Sequence, residues 1–434
     1  MNQFLQRLLI CAASVTVLAS CGGGNDIASG GTGTGVTSAS AVAPSTNMAN
    51  DNNSARTTIS PTMAVVDTVG NSFKTVPAGS ILKVAYVDGI WTNTFSSIPA
   101  AGFAAPDIVI YSFIQNSKNN NPPFNGLNSI TIDPILAASI TSGVKQQSSS
   151  SKVFISVGGA NMFPADINMT NANNIVNNVI AGIATLNKTL QKPIVGVDLD
   201  LENGITAETI STLAAGFQKA NFLVSIAPQP VSTSAPVAPW NLPNINPAYP
   251  NGVPNVSPAL NLSSGGTSND YGAAIASGNV DYIFAQAYST GPGGISVGGC
   301  AETQPCIVGQ LATAFNNLMQ PSCTGSTSPL CIPSKTTRNN PVQYAIGVPT
   351  NQGGAGGTVN SIWGSGTYSD PSILNTLATE ITNDIPIFQK KGNNGIMTWV
   401  LNADYIPTSY NDSSACVGGF SSVVFGATQA MSCP

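Results

Sequence analysis

Histidine is missing from all 434 residues, and that one gap removes several hydrolytic chemistries at once. Ser-His-Asp and Cys-His catalysis both need an imidazole base, and nearly all zinc-site patterns need an imidazole ligand. Acid–base work in this chain falls to carboxylates, tyrosine or lysine. Charge is scarce as well: only 8% of residues are Asp, Glu, Lys or Arg, for a net charge of −5. A typical globular chain carries about a quarter, so Asn, Ser, Thr, Gln and Gly must cover this surface. No basic run is present, which argues against nucleic acid as a partner. An amide- and hydroxyl-rich surface instead suits a neutral polymer such as a polysaccharide. Tryptophan occurs four times, too few for a long aromatic track.

The N-terminus reads as a targeting segment. Arg7 provides a positive start, residues 8–18 form an apolar stretch too short to span a bilayer, and Leu18-Ala19-Ser20-Cys21 closes it. This ending resembles the lipobox of bacterial lipoproteins, which implies acylation at Cys21 and a lipid anchor at the bacterial cell envelope or surface. Residues 22–78 are rich in Gly, Ser, Thr, Ala and Asn and read as a low-complexity tether. With Cys11 and Cys21 set aside, Cys300, Cys306, Cys323, Cys331, Cys416 and Cys433 remain, an even number suited to an oxidising compartment. Six cysteines allow about 15 pairings. Proximity along the chain favours 300–306, 323–331 and 416–433, and the spacings match no common zinc finger.

From residue 79 to 434, short apolar runs alternate with helical stretches. The runs are 81–87, 107–114, 152–157, 194–200, 222–226, 281–287, 343–348 and 395–401, each followed by Gly, Asn or Pro. Near-continuous β-branched and aromatic character is expected of parallel strands buried on both faces. Helices are expected at 134–146 after an Asp133 cap, 172–190, 207–220 after Thr206, 308–319 and 371–390. Eight repeats of strand and helix predict a closed (β/α)8 TIM barrel with loop insertions. The largest insertion, 231–268, is dense in Pro, Asn and Ser and is expected to wall the barrel mouth. Trp91, Trp240 and Trp363 fall in loops or the insertion as candidate sugar platforms, Trp91 the best placed.

The fourth run carries the chemistry: Ile194-Val195-Gly196-Val197-Asp198-Leu199-Asp200-Leu201-Glu202. Strand alternation puts Asp198, Asp200 and Glu202 on one face and Val197, Leu199 and Leu201 on the other. The apolar set meets the helices, so the carboxylates point into the barrel at its C-terminal end, where active sites of this architecture lie. Three carboxylates about 6–7 Å apart cannot all ionise freely, so at least one must hold its proton to higher pH. A carboxylic acid protonated near neutrality is what cleavage of a glycosidic bond requires. An EF-hand loop would need Gly at 203 and Glu at 209, where Asn203 and Thr209 stand, so no metal is expected.

Here the chain resembles the family 18 glycoside hydrolases, in the hevamine-like bacterial branch of the chitinases. Their D-G-x-D-x-D-x-E signature is similar to residues 195–202. Ser156-Val157-Gly158-Gly159 looks like S-x-G-G, Ala227-Pro228-Gln229 like the A-P-[QE] turn, Gln286-Ala287-Tyr288 like Q-x-Y, and Met397-Thr398-Trp399 like the segment of the active-site Trp. The resemblance implies substrate-assisted, retaining, endo-acting hydrolysis of β-1,4 N-acetylglucosamine linkages in chitin or chito-oligosaccharides, without a cofactor. It gives Glu202 the role of acid, Asp200 that of orienting the substrate acetamido group, and Asp198 that of tuning Asp200. Tyr288, Gln286 and Trp399 become substrate-binding residues. The family's first Asp is Val195 here, and its loss is expected to alter the proton affinities of the cluster. Ser289 replaces a frequent Asp or Asn after the Tyr. An endo-β-N-acetylglucosaminidase on N-glycans and a non-catalytic glycan-binding surface protein are the alternatives.

Overall fold

A computed structural model describes residues 64–66, 72–90, 96–114, 130–160, 162–233, 259–266, 268–290, 295–321, 323, 331–354, 361–363, 371–412, 415–428 and 431–433. Cys21, the targeting segment, Trp91 and Trp240 lie outside them. Eight parallel strands close into a barrel: β1 (Leu82–Asp88), β2 (Ile108–Ile114), β3 (Lys152–Gly158), β4 (Ile194–Asp200), β5 (Leu223–Ile226), β6 (Tyr282–Gln286), β7 (Gln343–Pro349) and β8 (Gly395–Trp399). Each strand pairs with its neighbours in chain order, and β8 closes on β1. Helices follow each strand in turn: α1 (Ala100–Ala104), α2 (Pro134–Val144), α3 (Ala172–Leu186), α4 (Ala207–Lys219), α5 (Gly272–Ala276), α6 (Ile307–Leu318), α7 (Pro371–Gln389) and α8 (Leu401–Tyr405). This is the (β/α)8 TIM barrel. Among the described residues no helix is long and apolar enough to cross a membrane.

The caps read from sequence are made. Asp133 accepts the amide of Ile135 at 2.7 Å and Thr206 accepts that of Thr209 at 3.4 Å, each satisfying an amide that the helix start leaves unpaired. One apolar layer joins the outer strand faces to the helices, including Val197, Leu199 and Leu201 of the fourth strand and its extension, all fully buried. A second fills the barrel interior with Leu82, Val84, Ile108, Ile110, Phe154 and Phe284 among others. Gly196 belongs to that interior: a Cβ there would meet the Phe154 ring at 2.4 Å, so the bare backbone makes room for the ring.

Two sequence expectations are corrected. The tether does not reach residue 78: Ser72–Lys74 pairs with Ala64–Val66, Phe73 and Val76 are buried in the core, and the Val76 amide bonds the Val423 carbonyl at 2.9 Å. Trp363 is no sugar platform, because it is 3% exposed and its indole N–H is spent on the Pro349 carbonyl at 2.9 Å. The insertion after β5 carries regular structure at its two ends, where Gln229–Thr233 pairs antiparallel with Ala259–Ser263. Residues 234–258 lie outside the described residues. Among the described residues the disulfides are 300–306, 323–331 and 416–433, the pairing favoured by proximity.

Candidate active site

The described barrel strands bring polar groups together at one end, around the C-terminus of β4. Asp198 sits deepest and is fully buried. Burial pushes its proton affinity up, and three hydroxyls oppose that by donating to its carboxylate. Ser156 of β3 donates to Oδ2 at 2.6 Å, Tyr86 of β1 to Oδ2 at 2.7 Å, and Ser225 of β5 to Oδ1 at 2.6 Å. Asp198 is thus solvated by the protein in place of water. The Val195 expectation changes accordingly. Val195 stands three residues before Asp198, roughly 10 Å along a strand, beside a register shift between β3 and β4. An acid there would not share a proton with Asp198, whose partners come from three other strands.

Asp200 lies one inward position higher and is 5% exposed. The Gln286 amide, at the end of β6, donates to Asp200 Oδ1 at 2.9 Å and to the Ala227 carbonyl at 2.8 Å. Both of its N–H groups are used, so the amide orients the carboxylate. Desolvation first, then the charges of Glu202 and Asp198, hold the Asp200 carboxyl well above the usual carboxylate range. Glu202, just past the strand and half-buried, is pushed up to about 7 by desolvation. Two carboxyls that favour each other's protonated form titrate as a pair. Between the two steps the pair carries one proton, which is the state an acid catalyst beside an anionic stabiliser needs.

The backbone around this pair is tightly held. Gly158 and Gly159 have φ of +129° and +84°, and the Gly159 amide bonds the Asp200 carbonyl at 2.6 Å. A Cβ on Gly158 would come within 1.9 Å of that carbonyl oxygen, so glycine is required for β3 and β4 to approach so closely. Asn203, at φ +63°, donates its side-chain amide to the carbonyls of Ala160 and Met162, both at 2.9 Å.

Tyr288 follows β6, is 7% exposed, and its phenol is held well above its usual range by desolvation, then by the charges of Asp200 and Glu202. It therefore stays a hydrogen-bond donor. Trp399 ends β8 half-buried, stacked on Phe113 at a centroid distance of 5.3 Å and edge-on to Tyr86 at 5.7 Å. The Tyr86 hydroxyl in turn reaches Asp198, so the indole and the carboxylates belong to one connected cluster. The chemistry available is proton donation from a raised carboxyl, a neighbouring anion, a phenolic donor and an apolar floor.

Sequence reasoning did not select Tyr86, Ser225 or Phe113, nor give Ser156 a role beyond its motif. Their signal was modest but present: Tyr86 and Ser225 occupy the inward phase of their strands, where a polar atom demands a partner. Asp404 received no role, and the structure gives it a structural one. It is 1% exposed and accepts the amides of Phe420 and Ser421 at 2.9 Å each, tying the C-terminal segment to the barrel.

No protein-family model and no curated protein sequence matches the chain. Among solved structures it is similar to a family GH18 chitinase from Chromobacterium violaceum, with 21% identity over 81% of this chain and 84% of that one and a TM-score of 0.45. It is similar to a GH18 chitinase from Pseudoalteromonas aurantia at 16% identity, 76% and 96% coverage and a TM-score of 0.42. It is also similar to a xylanase and alpha-amylase inhibitor protein from Scadoxus multiflorus at 16% identity, 77% and 98% coverage and a TM-score of 0.39.

Proposed function

We propose that the chain is a retaining glycoside hydrolase of the family 18 type, cleaving β-1,4 N-acetylglucosamine linkages in chitin or chito-oligosaccharides. The observation that carries this reading is the coupled pair at the end of β4: Glu202 held protonated to about 7, beside Asp200 fixed by Gln286. Glu202 gives its proton to the departing glycosidic oxygen as the bond to the anomeric carbon breaks. The substrate's own acetamido carbonyl oxygen attacks that carbon from the opposite face and closes an oxazolinium ring. Asp200 orients the acetamido N–H and offsets the positive charge of the ring. Asp198, held by three hydroxyls, supports Asp200 from below. Tyr288 donates to the acetamido oxygen, and Trp399 on Phe113 provides the floor under the sugar ring. The Glu202 carboxylate then takes a proton from water, which opens the oxazolinium with net retention. No cofactor enters these steps. The same proposal places the protein outside the cytoplasm, anchored through an acylated Cys21. Three disulfides accord with an oxidising compartment.

The deciding experiment is hydrolysis of a fluorogenic chitotriose by the wild type and by Glu202→Gln. Turnover by the first and a loss of roughly a hundredfold or more in the second is the expected result. No turnover, with binding of chito-oligosaccharide, would replace the reading with a glycan-binding protein. Cleavage of a high-mannose glycopeptide alone would move it to an N-glycan endoglycosidase.

A further inference from the structure

A buried phenol outside the reaction scheme touches the segment that carries both catalytic carboxylates. Tyr271 stands at the start of α5, at the end of the insertion that follows β5, and is fully buried in the layer between strands and helices. Its hydroxyl accepts the Leu201 amide at 2.8 Å and lies 2.9 Å from the Leu201 carbonyl and 3.2 Å from that of Leu199. A phenol has one proton, so it donates mainly to Leu201 and shares with Leu199.

These contacts fall where the sheet stops supporting β4. The ladder to β5 ends at Leu199↔Ile226, and the ladder to β3 at Gly158↔Asp200. Beyond those pairs, Leu201 has no strand neighbour to bond its amide. Tyr271 takes the place of that neighbour. Leu199 and Leu201 bracket Asp200, and Leu201 immediately precedes Glu202, so one hydroxyl fixes the backbone on both sides of one carboxylate and at the root of the other. For packing alone a phenylalanine would serve. The Tyr271 amide is itself bonded to the Leu262 carbonyl at 3.1 Å, which ties this brace to the paired end of the insertion.

We propose that Tyr271 is a positioning residue that sets the spacing and orientation of Asp200 and Glu202 through the backbone of Leu199 and Leu201. The proposal rests on the catalytic reading of that pair, and its test separates the two. The variant is Tyr271→Phe, which keeps the ring. Two readouts are used: kcat and KM on fluorogenic chitotriose, and titration of Glu202 by NMR with glutamate carboxyl carbons labelled. The chain has only four glutamates, 202, 208, 302 and 380, so the signals can be assigned. Asp200, Tyr288 and Tyr271 itself are the ionisable groups whose charges act on Glu202; burial holds the Tyr271 phenol well above its usual range, so Tyr271→Phe removes a hydroxyl and no charge.

The expected result is KM within about twofold, kcat lower by ten- to a hundredfold, and a displaced Glu202 midpoint with Glu208, Glu302 and Glu380 unmoved. A variant that merely melts earlier, with wild-type kcat and a wild-type Glu202 midpoint, would overturn it and leave Tyr271 a structural residue. If the wild type cleaves no N-acetylglucosamine substrate, the catalytic reading falls, and the Glu202 midpoint alone decides the brace: displaced in its favour, unmoved against it. Should Tyr271→Phe not fold, 3-fluorotyrosine at 271 keeps ring and hydroxyl but weakens the acceptor for the Leu201 amide. The same two outcomes then decide.

Discussion

Gly158→Ala tests how closely the proposed catalytic pair depends on the approach of β3 to β4. An added Cβ would lie 1.9 Å from the Asp200 carbonyl oxygen, whereas real contacts stay above about 3.0 Å, so the two strand ends must part by at least about 1.1 Å. Parting them also stretches the 2.6 Å bond from the Gly159 amide to that same carbonyl. The φ of +129° is open to glycine and strained for alanine, at about 1–3 kcal/mol, and overpacking adds about 1–3 kcal/mol. The expected loss of stability is therefore about 2–6 kcal/mol, read from urea unfolding of the wild type and the variant. Asp200 moves with its carbonyl, and a misplacement of about 1 Å at a reacting group costs on the order of a hundredfold in rate. Turnover of fluorogenic chitotriose at a temperature where both proteins are folded measures that second effect. A variant within about 1 kcal/mol of wild type, with kcat/KM within about threefold, would show that β3 and β4 do not need the contact.

Four further outcomes are expected. Because Glu202 must hold its proton and is pushed up to about 7, kcat/KM should fall about tenfold per unit above neutrality, and an alkaline midpoint near 5 would refute the assignment. The same raised value has a stability cost: the folded state binds this proton more tightly than the unfolded chain, so stability declines as pH rises from about 4.5 to 7. Glu202→Gln should remove Glu202's share of that decline, Asp198 and Asp200 keeping theirs, and be more stable than wild type at pH 8 by about 1–3 kcal/mol, and urea curves with equal slopes against pH would contradict it. Ser225→Ala leaves Asp198 Oδ1 without its donor, and should cost about 1–3 kcal/mol and raise the Asp198 proton affinity further, which carboxyl NMR would detect as an upward midpoint. Replacing Cys416 and Cys433 by Ala frees the end of the chain, and should lower stability by about 2–4 kcal/mol, whereas an unchanged urea midpoint would mean that the Asp404 contacts suffice.

The barrel was legible because its strands are covered on both faces, which writes each one as an apolar run; β4 runs from Ile194 to Asp200 as read. Elements without such a signature were missed. The helices at 100–104, 272–276 and 401–405 have five residues each, too short to display a helical stripe. The strands Gln229–Thr233 and Ala259–Ser263 pair across 25 intervening residues, with no local turn to announce them. At the site, period-two alternation alone aligned Asp198, Asp200 and Glu202, because that relation lies within one strand. Which hydroxyls meet Asp198 is a relation between strands, set by the stagger of β1, β3, β4 and β5 around the barrel. The Val195 expectation was read from the family motif within one strand, whereas the structure supplies Asp198 with Tyr86, Ser156 and Ser225 from three others. The substitution at 195 is therefore no argument against catalysis: the deepest carboxylate keeps a complete set of donors, and the pair above it keeps its coupling.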